Sequence, residues 1–295
     1  MKKILCSIAY IVIAIALRST PCSAQNNPPA EGHYANVHDL KLFYLDKGKG
    51  LPLVLLHGGL STIDHDFGAM IPELEKTHRV IAVEMQGHGH TKDIDRPLSY
   101  ASMASDVLEL LQTLHIEKAD FLGYSMGGGV VLQIAIIKPA IVNHIVLMST
   151  AYSPLGMNFD NPGNLRPKPA EDLNRSEFKK AYDAVAPDTS QWQTLVKKNF
   201  ALMESWKGFD TADIRRINAP VFLLFGDADI SKPEHAVEMF RLRGGGIAGD
   251  LYELPNEQLA VIPGTTHVQM PKRAGWILPM ITGFLQTTRY RAAHK

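Results

Sequence analysis

Six short runs of apolar residues, almost free of polar interruption, recur along the chain at 53–56, 80–83, 119–122, 145–148, 221–225 and 259–262. Runs that are apolar on both faces are what strands buried within a parallel sheet look like. Helical spacing replaces them in between. In 100–114 the residues Met103, Val107, Leu110, Leu111 and Leu114 fall on one face, 126–137 forms a second helix stopped by Pro139, and 234–242 and 274–285 read as helices too. Ahead of the first run, alternating segments at 34–38 and 41–46 predict a hairpin, with Lys47 to Gly50 marking the next turn. Strands alternating with helices imply an α/β fold with a doubly wound, mostly parallel sheet and an antiparallel edge.

Two segments depart from this rhythm. Residues 150–215 hold no strand-like run. They open with a Pro-, Gly- and Asn-rich stretch at 153–169 and then predict helices near 176–185 and 190–206. Such a segment is expected to be a helical cap inserted over the carboxyl edge of the sheet, leaving 25–149 and 216–295 as the core. The amino terminus pairs Lys2 and Lys3 with fourteen mostly apolar residues from Ile4 to Leu17, too short for a bilayer span but suited to an export signal. Small residues at Cys22 and Ala24 place the expected cleavage after Ala24, so 1–24 is read as a signal peptide and the protein as periplasmic or secreted. A lipid anchor on Cys22 is the alternative, although Ser19, Thr20 and Pro21 match that processing poorly.

Composition narrows the partners. Thirty Lys and Arg balance thirty Asp and Glu across 295 residues. No net positive field therefore points to nucleic acid or an anionic membrane, and no stable membrane span is expected after processing. Loss of the leader removes both cysteines, Cys6 and Cys22, which excludes a disulfide framework, a cysteine nucleophile or a Cys-ligated metal in the mature chain.

The chemistry concentrates at Gly123-Tyr124-Ser125-Met126-Gly127, a G-x-S-x-G pattern that arises by chance in about one chain in ten of this length. Its context sharpens it, because an apolar strand enters and a helix opening on three glycines leaves. A serine on so sharp a strand-to-helix turn needs small neighbours and projects its Oγ above the sheet. A serine hydroxyl requires a base and an orienting carboxylate. The run 221–225 ends in Gly226-Asp227-Ala228-Asp229 and the run 259–262 leads to His267. Carboxyl ends of parallel strands share one edge, so Ser125, Asp229 and His267 are expected to converge, with Asp227 the competing acid. Amides of Gly59, after the run 53–56, and of Met126 are the expected donors to an oxyanion.

The motifs His57-Gly58-Gly59, 85–91 (MQGHGHT), 123–128 (GYSMGG), 226–229 (GDAD) and 263–267 (PGTTH) together resemble the α/β-hydrolase superfamily through nearly the whole mature chain. Glu84 stands where that family usually has Asp, a departure at a structural turn. The resemblance implies a serine esterase or lactonase working through an acyl-enzyme, with a small-molecule ester or lactone as partner and no cofactor. The aromatic residues of the insertion predict a pocket for a bulky, largely apolar acyl or lactone group, and large macrolide-type lactones are among the substrates the resemblance makes plausible. It also leaves room for a proline-type aminopeptidase, for acyl transfer or C–C bond hydrolysis, and for a non-catalytic receptor. Ser125 argues against epoxide hydrolases and haloalkane dehalogenases, which carry Asp at that position. His57 is read as a brace for the oxyanion loop. His88, His90 and the Asp64-His65-Asp66 run lack a third ligand at metal spacing, so no metal is expected. Leu60, Tyr182, Trp192, Phe200, Met203 and Trp206 are the expected substrate-binding residues, the alternative for Trp192, Phe200, Met203 and Trp206 being the insertion's own core.

Overall fold

The structure, a computed structural model, describes residues 32–158, 172–252 and 254–293. The expected signal peptide and its cleavage site, and most of the stretch that opens the insertion, lie outside the described residues. Eight strands form one sheet in the order β1 (His33–Val37), β2 (Leu40–Lys47), β4 (His78–Glu84), β3 (Leu51–Leu56), β5 (Ala119–Tyr124), β6 (Val142–Met148), β7 (Val221–Ala228) and β8 (Gln258–Thr266). β1 and β2 form the antiparallel hairpin, β2 pairs antiparallel with β4, and all later pairings are parallel.

The apolar runs are continuous because each strand feeds two cores. In β3, Val54 and Leu56 enter one cluster while Leu53 and Leu55 enter the other. The same alternation divides Ile81 and Val83 from Val80 and Ala82 in β4, and Ile145 and Leu147 from Val146 and Met148 in β6. One face is covered by α3 (Tyr100–Thr113), α4 (Met126–Ile137) and α8 (Pro233–Leu242), the other by α1 (Ile63–Phe67), α2 (Ile71–Leu74) and α9 (Ala274–Ala293). Each aliphatic side chain so enclosed contributes about 1.5–3 kcal/mol of burial free energy. The short α1 and α2 have no counterpart in the sequence reading, because helices of five and four residues show no full hydrophobic period.

Between β6 and β7 the chain builds α5 (Glu177–Val185), α6 (Trp192–Ser205) and α7 (Thr211–Arg216). Ser176 caps α5 by accepting from the Lys179 amide at 3.2 Å. Tyr182, Trp192, Leu195 and Val196 make a small core of their own, whereas Ile214 of α7 joins the cluster on the α3–α4 face. The midpoint of α6 is tied to the loop after β4: Lys198 Nζ donates to Asp93 at 2.6 Å and to the carbonyls of Ile94 and Arg96 at 2.7 and 3.0 Å. Among the described residues no helix is long and apolar enough to cross a membrane.

Candidate active site

Six strand ends lie at one edge of the sheet, and the residues that follow them build the site. The chain order turns back at β3, so the crevice between the loop after β3 and the loop after β5 is the switch point of the sheet, where α/β folds bind ligands. Ser125 follows β5 directly, with φ 52° and ψ −116°. A non-glycine backbone there costs on the order of 1–3 kcal/mol and persists only where its surroundings fix it. The Ser125 amide donates to the Met148 carbonyl at 2.9 Å, and its own carbonyl accepts from the Gly129 amide at 3.2 Å. A Cβ on Gly123 would lie 2.5 Å from the Gly128 Cα, and one on Gly127 would lie 2.0 Å from the Leu56 carbonyl oxygen. The two glycines flanking the serine let α4 press against β5 and β3, and this holds the turn.

His267, the first residue after β8, stands between Ser125 and Asp229. Its Nε2 is 2.9 Å from the Ser125 Oγ and its Nδ1 is 2.8 Å from an Asp229 carboxylate oxygen. With Nδ1–H donated to the carboxylate, Nε2 is free to accept the serine proton. The hydroxyl of Tyr124 donates to the His267 carbonyl at 2.9 Å and ties the His267 loop to the serine turn. Asp229 is 7% exposed. Burial, the largest influence on its carboxyl, pushes the pKa up. The hydrogen bond and charge of His267, the Ser149 hydroxyl and the Ser231 amide outweigh it and hold the carboxyl below its ordinary range. Asp227 is exposed and turned away, accepting from the Thr265 amide at 3.1 Å. Of the two acids, only Asp229 reaches the imidazole.

The loop after β3 is braced from beneath. Asp66 accepts from the Gly58 amide at 2.8 Å and from the Ser61 hydroxyl at 2.7 Å, which accounts for the carboxylate of the Asp64-His65-Asp66 run. His57 accepts from the Met85 amide at 3.1 Å through Nε2, so its Nδ1–H donates to the Gly58 carbonyl at 2.7 Å. Neither the Gly59 nor the Met126 amide is spent on a protein acceptor among the described residues, and both residues line the cavity with Ser125. Asn199 of α6 reaches down to this loop. Its Nδ2 donates to the Leu195 carbonyl at 3.0 Å and lies 3.4 Å from His88 Nε2, while its Oδ1 would be 2.8 Å from a Cβ on Gly59.

His88 is fully buried, and that burial, followed by the proximity of His57, lowers its pKa from 6.5 to about 3. The native state therefore holds His88 neutral where the unfolded chain would protonate it. Stability contributed by the neutral ring is complete above the unfolded value of 6.5 and is lost progressively as pH falls from there toward 3. In urea titrations between pH 6 and 4, His88→Gln should flatten the fall of unfolding free energy by about 1.4 kcal/mol per pH unit. An unchanged slope would contradict the neutral assignment.

The cavity over Ser125 encloses about 180 Å³, and its walls include Leu60, Phe200, Met203 and Trp206 as expected. Tyr182 and Trp192 are not among them, and this corrects the sequence reading. Trp192 is 1% exposed in the core of the insertion, with its Nε1 donating to Asn174 at 3.0 Å, and the Tyr182 hydroxyl donates to the Asp188 carbonyl. The cause is the length of α6: one apolar stripe runs along it, but the first two turns meet α5 and only the last two reach over the serine. Tyr100, Ser149 and Asn199 also line the cavity and were missed. Ser149 carries one legible signal, its place immediately after a buried strand; Tyr100 and Asn199 carry none. Among the described residues no group of three or more His, Cys, Asp or Glu side chains converges as a metal site.

This geometry has parallels in known proteins. A family model for the alpha/beta hydrolase fold matches residues 52–196. Over 231 residues the chain is 30% identical to the AB hydrolase superfamily protein YisY of Bacillus subtilis, covering 68% of this chain and 83% of that one. In three dimensions it is similar to a serine hydrolase involved in carbazole degradation, with a TM-score of 0.70 at 20% identity, covering 87% of this chain and 98% of that one. It is also similar to the enol-lactonase of Burkholderia xenovorans LB400, with a TM-score of 0.64 at 19% identity, covering 86% and 100%. At such identities the two structures speak for the fold alone, and the Bacillus relative speaks for kinship. The chain belongs to the α/β-hydrolase family.

Proposed function

We propose that the protein is an exported serine hydrolase that opens a carboxylic ester or lactone through an acyl-enzyme. The observation that carries this is the single file of Ser125, His267 and Asp229, with gaps of 2.9 and 2.8 Å. In this scheme Ser125 Oγ attacks the carbonyl carbon as His267 Nε2 takes its proton, and Asp229 holds the imidazole in the accepting tautomer. The amides of Gly59 and Met126 stabilise the oxyanion. His267 returns the proton to the leaving alkoxide, then activates a water that releases the acid. No step calls on a cofactor.

The cavity favours a neutral substrate, because no Asp, Glu, Lys or Arg is among its described lining residues. At about 180 Å³ it lies below the roughly 300–1,000 Å³ of sites that enclose drug-sized ligands. A compact acyl group or small lactone therefore fits better beside Ser125 than a bulky one or a macrolide ring. An aminopeptidase would need a carboxylate for the free amine, and Glu204 is exposed on α6 outside the lining. The test combines a serine-reactive phosphonate with p-nitrophenyl esters of graded length, small and macrocyclic lactones and aminoacyl anilides. Labelling with short-ester or small-lactone turnover is expected. Failure to label, or anilides turned over faster than any ester, would overturn the reading, and macrolide opening would overturn the size argument.

A further inference from the structure

The wall of the cavity facing Ser125 is apolar in composition, yet it carries two hydrogen-bond donors that meet no acceptor among the described residues. Trp206 Nε1 is buried and has no hydrogen-bond partner among the described residues. The Tyr100 hydroxyl, at the start of α3, makes no hydrogen bond among the described residues. Both side chains line the cavity that holds Ser125 and His267. Burial raises the Tyr100 pKa to about 12, so its hydroxyl keeps its proton at any working pH. The contrast with the indole at the start of α6 is direct, since Trp192 gives its N–H to Asn174 at 3.0 Å. A buried donor left unpaired costs about 1–3 kcal/mol, which a ligand acceptor would recover.

The two rings are also rigid. They meet edge to face at 5.4 Å, and Phe209 packs against each at 5.7 Å. Behind them Gly129 leaves room for the Tyr100 ring: a Cβ there would come within 2.3 Å of Tyr100 Cε1. Donors held this way lose little entropy on binding. We propose that the Trp206 indole N–H and the Tyr100 hydroxyl form a second recognition point that binds an acceptor oxygen of the substrate away from the reacting carbonyl. This rests on the serine-hydrolase reading of the same site and narrows its substrate class. The preferred ester or lactone carries an additional keto, ether or amide oxygen on its acyl side, instead of a plain alkyl chain.

Two measurements test this. The first compares p-nitrophenyl hexanoate with its 3-, 4- and 5-oxo analogues on the native enzyme, Trp206→Phe and Tyr100→Phe. Each variant keeps a ring and loses the donor, and intrinsic ester reactivity cancels in the comparison. For at least one oxo position, the oxo-to-plain ratio of kcat/KM should fall by about tenfold in Trp206→Phe and severalfold in Tyr100→Phe. Ratios within about twofold of the native enzyme at every position would overturn the inference while leaving ester hydrolysis intact. The second measurement needs no turnover. Calorimetry of hexanamide and its oxo analogues on Ser125→Ala should show one oxo amide binding about tenfold more tightly, an advantage that Trp206→Phe added to Ser125→Ala erases. Equal affinities throughout would reject the recognition point even if every ester proved inert, and esters proving inert would count against the serine-hydrolase reading separately.

Discussion

Ser125→Ala is expected to lower kcat on the best ester of the panel by about 10^4 or more while leaving the thermal midpoint nearly unchanged. The substitution removes one oxygen atom. It leaves intact the backbone bonds that fix the turn, the Ser125 amide to Met148 and the Ser125 carbonyl to Gly129, so alanine inherits the same φ of 52°. What disappears is the only nucleophile within reach of His267 Nε2 in the described site. The Gly59 and Met126 amides remain and should sustain a small residual rate above water, as oxyanion donors do when a nucleophile is deleted. Activity within about tenfold of the native enzyme would sink the serine mechanism.

Asp229→Asn should cost roughly 10^3 to 10^4 in kcat, and Asp227→Asn less than about tenfold. At position 229 an amide cannot serve every neighbour. His267, Ser149 and Ser231 all donate to the carboxylate, and an NH2 group facing any of them sets donor against donor. If the NH2 faces His267, the ring must accept at Nδ1 and carry its proton on Nε2, where it can no longer receive one from Ser125. Asp227 meets only amides, and an asparagine oxygen can still accept from Thr265. The opposite ranking would move the acid to Asp227. The lowered pKa of Asp229 has a sign of its own: it contributes stability that is present above its unfolded value near 3.8 and is lost as pH falls through the native one. Acid titration of Asp229→Asn should lack that component.

Why these two acids were hard to separate by sequence is a matter of strand geometry. They lie two residues apart at the end of β7, where a strand's period of two puts both on one side. The register shift between Gly226 and Ala228 breaks that equivalence, and no composition signal announces it. The sheet itself was legible because strands covered on both faces must be apolar at every position, and the serine turn because only glycine fits at 123 and 127. Ser149 was legible only as the residue that follows a buried strand, since its role depends on β6 lying beside β7. Nor could periodicity separate Trp192 from Trp206. A hydrophobic stripe says which side of a helix is buried and is silent on what buries it.

That shared stripe has a consequence for altering the enzyme. Trp192 and Met203 are eleven residues apart on α6, about 16 Å along the axis. Substitutions at that separation, with no common partner, combine nearly additively. The amino-terminal half, with Trp192, Leu195 and Val196, holds the insertion together, Phe200 packs against that core as well as lining the cavity, and Met203 and Trp206 face the cavity, Met203 being 46% exposed. Lys198 and its anchors on the loop after β4 mark the division. Libraries confined to positions 203 and 206 would thus explore new substrates without drawing on the stability stored in the first two turns, so one helix and the residue that ends it offer both a fixed foundation and a tunable face.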